Sequence, residues 1–316
     1  MVHYRTFRNN DSPGLVAIWN EAFTSRGEVH LRHSSPLESY VFAKPYFDPA
    51  GLFLAIEDDV PVGFAHAGFG PNSTYTALSR SEGVICVVGV RPSHRRRGIG
   101  SELLRSCESY LVRNGAQTVY AGPAAPINPF YFALYGGSEL PGFLDSDAQA
   151  GPFLRRNGYG PHSTCRVFDR SLHQPVNVPD GRFAALRRQY EWRLAPRTGV
   201  GNWWEECVLG PVETVDFRLE NKSTGQVVAR ASAWEMDLFS WRWNHPAIGI
   251  VNVEVLPELR RQGLGKFLLT QTLRYLQEQF FGLVEVQSAE QNDAALKLYR
   301  SVGFEEVDIG HVYRKG

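Results

Sequence analysis

The sequence predicts an α/β protein of two tandem halves, residues 1–172 and 180–316, joined by a linker at 173–179. Two observations predict this. Short apolar runs with strand character alternate with amphipathic runs of helical spacing. The order of these runs then recurs at a fixed offset: Arg95, Gly98, Gly100 and Val119 stand 165 positions before Arg260, Gly263, Gly265 and Val284. Further on, Ala150, Gly158 and Tyr159 stand 145 positions before Ala295, Gly303 and Phe304, which places an insertion near residues 122–147 of the first half. A duplicated unit with one insertion accounts for both offsets.

In the first half, Tyr4–Phe7 reads as a short strand, and Leu15–Phe23 as a helix behind Ser12 at the N-cap and Pro13 in its first turn. Gly51–Glu57 and Val62–Phe69 flank Asp58-Asp59-Val-Pro as a hairpin. Gly83–Val90 is apolar enough for a buried central strand, Ser101–Arg113 is a helix ended by Asn114-Gly115, and Gln117–Tyr120 is the next strand. After the linker the pattern returns. Arg182–Arg193 reads as a helix, and Val215–Glu220 with Gln226–Trp234 as a hairpin around Ser223-Thr-Gly. Ile248–Val255 is the apolar strand, Lys266–Gln279 a helix, Leu283–Val286 a strand, and Asp293–Ser301 a final helix.

The 316 residues are 43% hydrophobic, enough for two packed cores, and their 33 basic and 33 acidic side chains cancel. That balance excludes wholesale nucleic-acid or membrane-surface binding. The four cysteines are scattered without a Cys-x-x-Cys pair, so neither a disulfide framework nor a metal site is expected. With no apolar leader or 18-residue apolar run, a cytoplasmic setting is the expectation.

The chemistry lies at the repeated turn. Val88-Gly-Val-Arg-Pro-Ser-His-Arg-Arg-Arg-Gly-Ile-Gly100 and Val253-Glu-Val-Leu-Pro-Glu-Leu-Arg-Arg-Gln-Gly-Leu-Gly265 each run from an apolar strand through a Pro-led turn into Arg-x-x-Gly-x-Gly and a helix. Unpaired amides at a helix N-terminus, close backbone approach at glycine and adjacent arginines together suit an anion such as a pyrophosphate. Neither stretch has the Gly-x-Gly-x-x-Gly of dinucleotide folds or the Gly-Lys-Ser/Thr of P-loops.

These loops, with Asn292-Asp-Ala-Ala-Leu-Lys-Leu-Tyr-Arg-Ser-Val-Gly-Phe304, resemble the GNAT superfamily of acyl-CoA-dependent N-acyltransferases in tandem arrangement. The likeness covers most of both halves, is strongest over 250–305, and is weakest over 20–50, 122–147 and 190–215. It implies two GNAT-like domains, each a mixed, splayed central sheet flanked by helices. It also implies acetyl-CoA, or another short acyl-CoA, as co-substrate, and a small-molecule amine as acceptor. Arg95, Arg96, Arg97, Gly98, Ile99, Gly100 and Ser101, and Arg260, Arg261, Gln262, Gly263, Leu264, Gly265 and Lys266, would hold the pyrophosphate. Val88, Val90, Val253 and Val255 would pair with the pantetheine arm, and Asn292 would join the second-half cofactor site.

By the same resemblance Tyr299 is the candidate acid for the leaving thiolate. The first half has Leu154 there, and a leucine holds no proton, so the second half is expected to be the catalytic one. The first half then either binds acyl-CoA as a non-catalytic module or, taking a phenol from elsewhere, acts on a different acceptor. Glu254 is the candidate base, although its alternation with Val253 and Val255 turns it from their side of the strand; Glu285 or a water relay are alternatives. Tyr131 and Tyr135, in the aromatic insertion Asn128–Glu139, are candidate acceptor-binding residues, or else anchor the insertion to the core. Trp203-Trp204 and Phe239–His245 either wall an acceptor site or form the contact between the halves.

Overall fold

The computed structural model describes residues 1–196 and 201–316. The first half contains strands β1 (His3–Thr6), β2 (Leu52–Glu57), β3 (Val60–Pro71), β4 (Leu78–Val90), β5 (Thr118–Ala121), β6 (Phe143–Leu144) and β7 (Tyr159–Ser171). Its helices are α1 (Ser12–Ala22), α2 (Ser35–Leu37), α3 (Ile99–Arg113) and α4 (Ala150–Arg156). The second half contains β8 (Tyr190–Pro196), β9 (Thr214–Asn221), β10 (Val227–Glu235), β11 (Ala247–Val255), β12 (Leu283–Ala289) and β13 (Glu305–Lys315). Its helices are α5 (Phe183–Gln189), α6 (Trp203–Leu209), α7 (Asp237–Trp243), α8 (Leu264–Glu278) and α9 (Asp293–Ser301).

All these strands join one mixed sheet in the order β1-β2-β3-β4-β5-β13-β7-β12-β11-β10-β9-β8, with β6 also on β13. The two halves exchange their last strands. β13 pairs with β5 of the first half through Tyr313↔Ala121, while β7 pairs with β12 of the second from Leu283↔Ser171 to Ala289↔Cys165. The two exchanged strands pair antiparallel with each other, from Glu305↔Asp169 to Lys315↔Tyr159.

The predicted repeat is visible as repeated geometry. β4 and β5 run parallel only as far as Ile85↔Ala121, and β11 and β12 only as far as Ile250↔Val286. Beyond those pairs each central strand parts from its neighbour, at positions 165 apart, and a bulge in each central strand marks the same place. Asn252 takes up the second bulge with φ +53.

The segment expected to be one helix over 182–193 is instead α5 followed by β8. Tyr190 packs into the core, and Trp192 stacks on Phe217 at 5.7 Å, so period-two aromatics overrode the helical run before them. β7 and β13, not anticipated as strands, are the exchanged pair.

Within residues 122–147, the stretch 129–144 is packed inside, while Ala125, Pro126, Asp145 and Ser146 are exposed. Phe130, Tyr131, Phe132 and Leu134 lie in one core cluster with Trp19 of α1, Trp204 of α6 and Phe239 of α7. Burying each such side chain contributes about 1.5–3 kcal/mol. Trp204 stacks on Tyr46 at 5.0 Å and donates to Asn128 at 3.1 Å, and Trp243 donates to the Arg26 carbonyl at 3.1 Å. These tryptophans therefore form the contact between the halves.

Candidate active site

The two Arg/Gly turns are the same structure twice. Arg96 and Arg261 both have φ +63, and Gly98 and Gly263 have φ +82 and +89. A left-handed residue two places before a left-handed glycine curls the chain into a cup at the first turn of α3 or α8, where the amides have no intrahelical partner. Ile99 and Leu264 are buried and anchor these helices, so only their backbone is offered to a ligand.

The arginines divide into bracing and free ones. Arg95 Nε donates to the Val90 carbonyl and Arg260 Nε to the Val255 carbonyl, each at 3.1 Å. These two side chains fix the turn to its own strand. Arg97 pairs with Glu57 at 2.5 Å, whereas Arg96 and Arg261 are exposed and have no partner among the described residues. Lys266 lies 3.3 Å from Asp180, whose carboxylate also takes a 2.7 Å bond from Arg182. Both cations hold the Asp180 carboxyl below the usual carboxylate range, Arg182 more strongly. The Arg182 guanidinium lies 3.0 Å from where a Cβ on Gly263 would stand, while the same point on Gly98 meets nothing within 4 Å. Two cups thus suit a pyrophosphate, one open and one bordered by a built-in carboxylate.

Val88, Val90, Val253 and Val255 lie where each central strand has left its parallel neighbour, which frees that backbone edge for an extended ligand. Asn292 caps α9, accepting from the Ala295 amide at 3.2 Å.

Tyr299 lies on the inner face of α9, its ring 6.1 Å from Phe168 and 5.8 Å from Phe304. Its hydroxyl has no hydrogen-bond partner among the described residues. Burial pushes its pKa up, and the neighbouring Glu139 and Cys165 add to the shift, so Tyr299 holds its proton firmly. Leu154 is buried on α4 of the first half, its position repeating that of Tyr299.

Three further candidates have their side chains engaged by protein partners. Glu254, taken as a base, is exposed and paired with Arg230 at 3.0 Å, on the side of β11 opposite the core-packed Val253 and Val255, as alternation requires. Tyr131 is buried, stacks on Trp19 at 5.6 Å and engages His66 Nδ1 at 3.1 Å through its hydroxyl. Tyr135 is buried and its hydroxyl accepts the Leu144 amide at 2.9 Å. Both tyrosines pack in the core with their hydroxyls hydrogen-bonded, the anchoring alternative for the insertion.

Glu285 is no freer. Its carboxylate accepts from the Ser138 amide at 2.6 Å, Arg26 at 2.9 Å and Gln287 at 3.1 Å. Sequence reasoning missed Glu139, which stands beside this cluster with its pKa pushed up to about 7 by burial and by Glu285. It also missed Glu28, pushed up to about 7 chiefly by burial. Nothing in the local sequence marks either carboxylate, because each is brought into place by a long-range contact.

Two cups of free amides at helix starts, two splayed strand pairs and a buried phenol on the helix beside one of them are repeated features of a duplicated α/β fold. The family model described as "Acetyltransferase (GNAT) family" matches residues 14–135 and 185–304. The chain belongs to the GNAT acetyltransferase family, as a tandem member, and is an acyl-CoA-dependent N-acyltransferase. It is 35% identical over 249 residues to a mycothiol acetyltransferase of Paenarthrobacter aurescens, covering 73% of this chain and 70% of that one. A mycothiol acetyltransferase of Segniliparus rotundus is 28% identical over 234 residues, covering 69% and 79%. Among solved structures, a tandem GNAT protein from the clavulanic acid biosynthesis pathway superimposes with a TM-score of 0.65 at 15% identity, covering 99% of this chain and 98% of that one. No helix among the described residues is long and apolar enough to cross a membrane.

Proposed function

We propose that the second half transfers an acetyl group from acetyl-CoA to the primary amine of a small molecule, and that the first half acts as an acyl-CoA-binding and structural module. The observation carrying this reading is the pair Tyr299 and Leu154, which occupy repeated positions with only one able to donate a proton. Acetyl-CoA supplies the activated acyl group. The chain's own parts divide the remaining work: the cup of Arg261–Lys266 binds the diphosphate, the free edge of Val253 and Val255 aligns the extended arm, and Tyr299 protonates the departing sulfur. The name shared by the relatives supports a mycothiol-type amine as the first acceptor to try. Four unpaired cysteines accord with a reducing, cytoplasmic setting.

The test is CoA release from acetyl-CoA in the presence of a panel: a mycothiol-type amine, glucosamine, cysteine, spermidine and a peptide with a free N-terminus. Amine-dependent release with at least one small amine supports the reading. Release only with the peptide would overturn the acceptor class, and no release with any amine would overturn the reading altogether.

A further inference from the structure

The central strand of the second half brings no carboxylate to its own cleft. Gly249 and Val251 have none to bring, and Glu254 is turned out to Arg230. The absent side chain at Gly249 has a structural consequence: a Cβ there would stand 2.7 Å from Ser138 Cβ and 3.0 Å from Trp234 Nε1. The glycine makes room for the insertion of the first half to cross onto the second. The crossing segment is pinned by Trp234 Nε1 donating to the Ser138 carbonyl at 3.1 Å and by the Ser138 amide donating to Glu285 at 2.6 Å. Gln287 Nε2 secures it further, donating to the carbonyls of Gly136 at 2.7 Å and Glu139 at 3.2 Å.

Gln287 is the first residue of β12 past the last pair with β11, so this anchoring sets Glu139 at the mouth of the splay. The other acids nearby are engaged: Glu285 as described, Asp169 with Arg26 at 2.6 Å, and Glu290 with Arg166. Glu139 has no side-chain hydrogen bond or ion pair among the described residues, and it keeps part of its surface open to solvent although protein surrounds it. Its charge reaches both Tyr299 and Cys165.

We infer that Glu139, contributed by the first half, is the general base of acetyl transfer in the second half. This rests on the reading that the second half is the catalytic one. An incoming ammonium gives one proton to the Glu139 carboxylate. The freed nitrogen lone pair forms the C–N bond at the thioester carbonyl, and collapse of the adduct breaks the C–S bond. The sulfur takes the Tyr299 proton, and the second N–H proton returns to the tyrosinate. Glu139 releases its proton to water, so one amide, one CoA thiol and one proton leave for each ammonium and acetyl-CoA consumed.

The titratable groups electrostatically coupled to Glu139 are Glu285 on β12, Cys165 on β7 and Tyr299 on α9, with Gln287 bonded to its carbonyl and Arg26 and Asp169 paired at Glu285. Burial and Glu285 raise the Glu139 pKa to about 7, so the base is poised near neutral pH. Turnover should then rise with pH through about 7, as Glu139 loses its proton.

The experiment uses the full chain, acetyl-CoA and whichever panel amine the wild type turns over fastest. Glu139→Gln should lower kcat on the order of 100-fold and abolish the rising limb of the pH profile. Acetyl-CoA binding by calorimetry should be unchanged, which shows that the variant is folded. Glu139→Asp should recover part of the rate and retain the limb. Turnover within about threefold of wild type with the limb intact would overturn the inference while leaving the proposed function standing. A wild type inactive on every amine would overturn both.

Discussion

Arg26 in the first half lies 2.6 Å from Asp169 and 2.9 Å from Glu285, joining the loop after α1 to adjacent strands of the exchanged sheet. Glu285 is fully buried, and burial together with Glu285 pushes Asp169 up to about 7. The guanidinium is therefore the cation that makes two adjacent carboxylates tolerable. Arg26→Met should cost about 3–5 kcal/mol, the scale for stranding a buried charge, read by chemical denaturation at neutral pH. A loss below about 1 kcal/mol would show that solvent or protonation already neutralises the site.

Stability should fall as pH rises from about 4.5 to above 7. Glu28 and Asp169 have folded-state values near 7, above those of the unfolded chain, so the native state binds more protons across that window. For an acid with a raised value, the sign is that stability is greatest below the unfolded pKa and is lost as pH rises through the folded one. Denaturant midpoints measured at pH 5 and pH 7.5 check this, and Glu28→Gln should flatten the difference.

Tyr299→Phe should lower kcat on the order of 100-fold while leaving the KM for acetyl-CoA near its wild-type value, because the ring packing on Phe168 and Phe304 is kept. Steady-state kinetics with both substrates varied separate the two effects. Equal loss in kcat and in acetyl-CoA affinity would make Tyr299 a packing residue.

Asp180→Ala should strengthen acetyl-CoA binding. Its carboxylate engages Lys266 and Arg182 beside the cup at Gly263, in competition with any phosphate. Removing it should lower the Kd measured by calorimetry roughly two- to fivefold, the scale of a surface ion pair, with the gain shrinking at high salt. Weaker binding would mean that Asp180 holds the two cations in place for the ligand.

Much of the fold is legible in the chain because its signals are local. The Arg/Gly turns, the hairpin at Asp58-Asp59 and the amphipathic Asp293–Ser301 helix each depend on residues within a few positions of one another. The exchange of β7 and β13 is not local: alternation marks a strand without naming its neighbour. The proposed site divides in the same way. The cups and Tyr299 are proposed from motif positions, whereas the loop that carries Glu139 reaches the second half where Gly249 leaves a gap opposite Ser138. Glu254 lies on the side to which alternation with Val253 and Val255 assigns it, exposed and paired with Arg230.

The exchanged strands constrain how the chain is made. A duplicated protein ordinarily completes its first unit while the second is still being translated. Here β5, already paired with β4, acquires its second neighbour only once residues 305–315 exist, because Tyr313 and Arg314 pair with Ala121 and Tyr120. Until residues 305–315 have been made, the nascent first half therefore presents an unpaired strand edge, and the sheet closes across both halves only once that strand is in place.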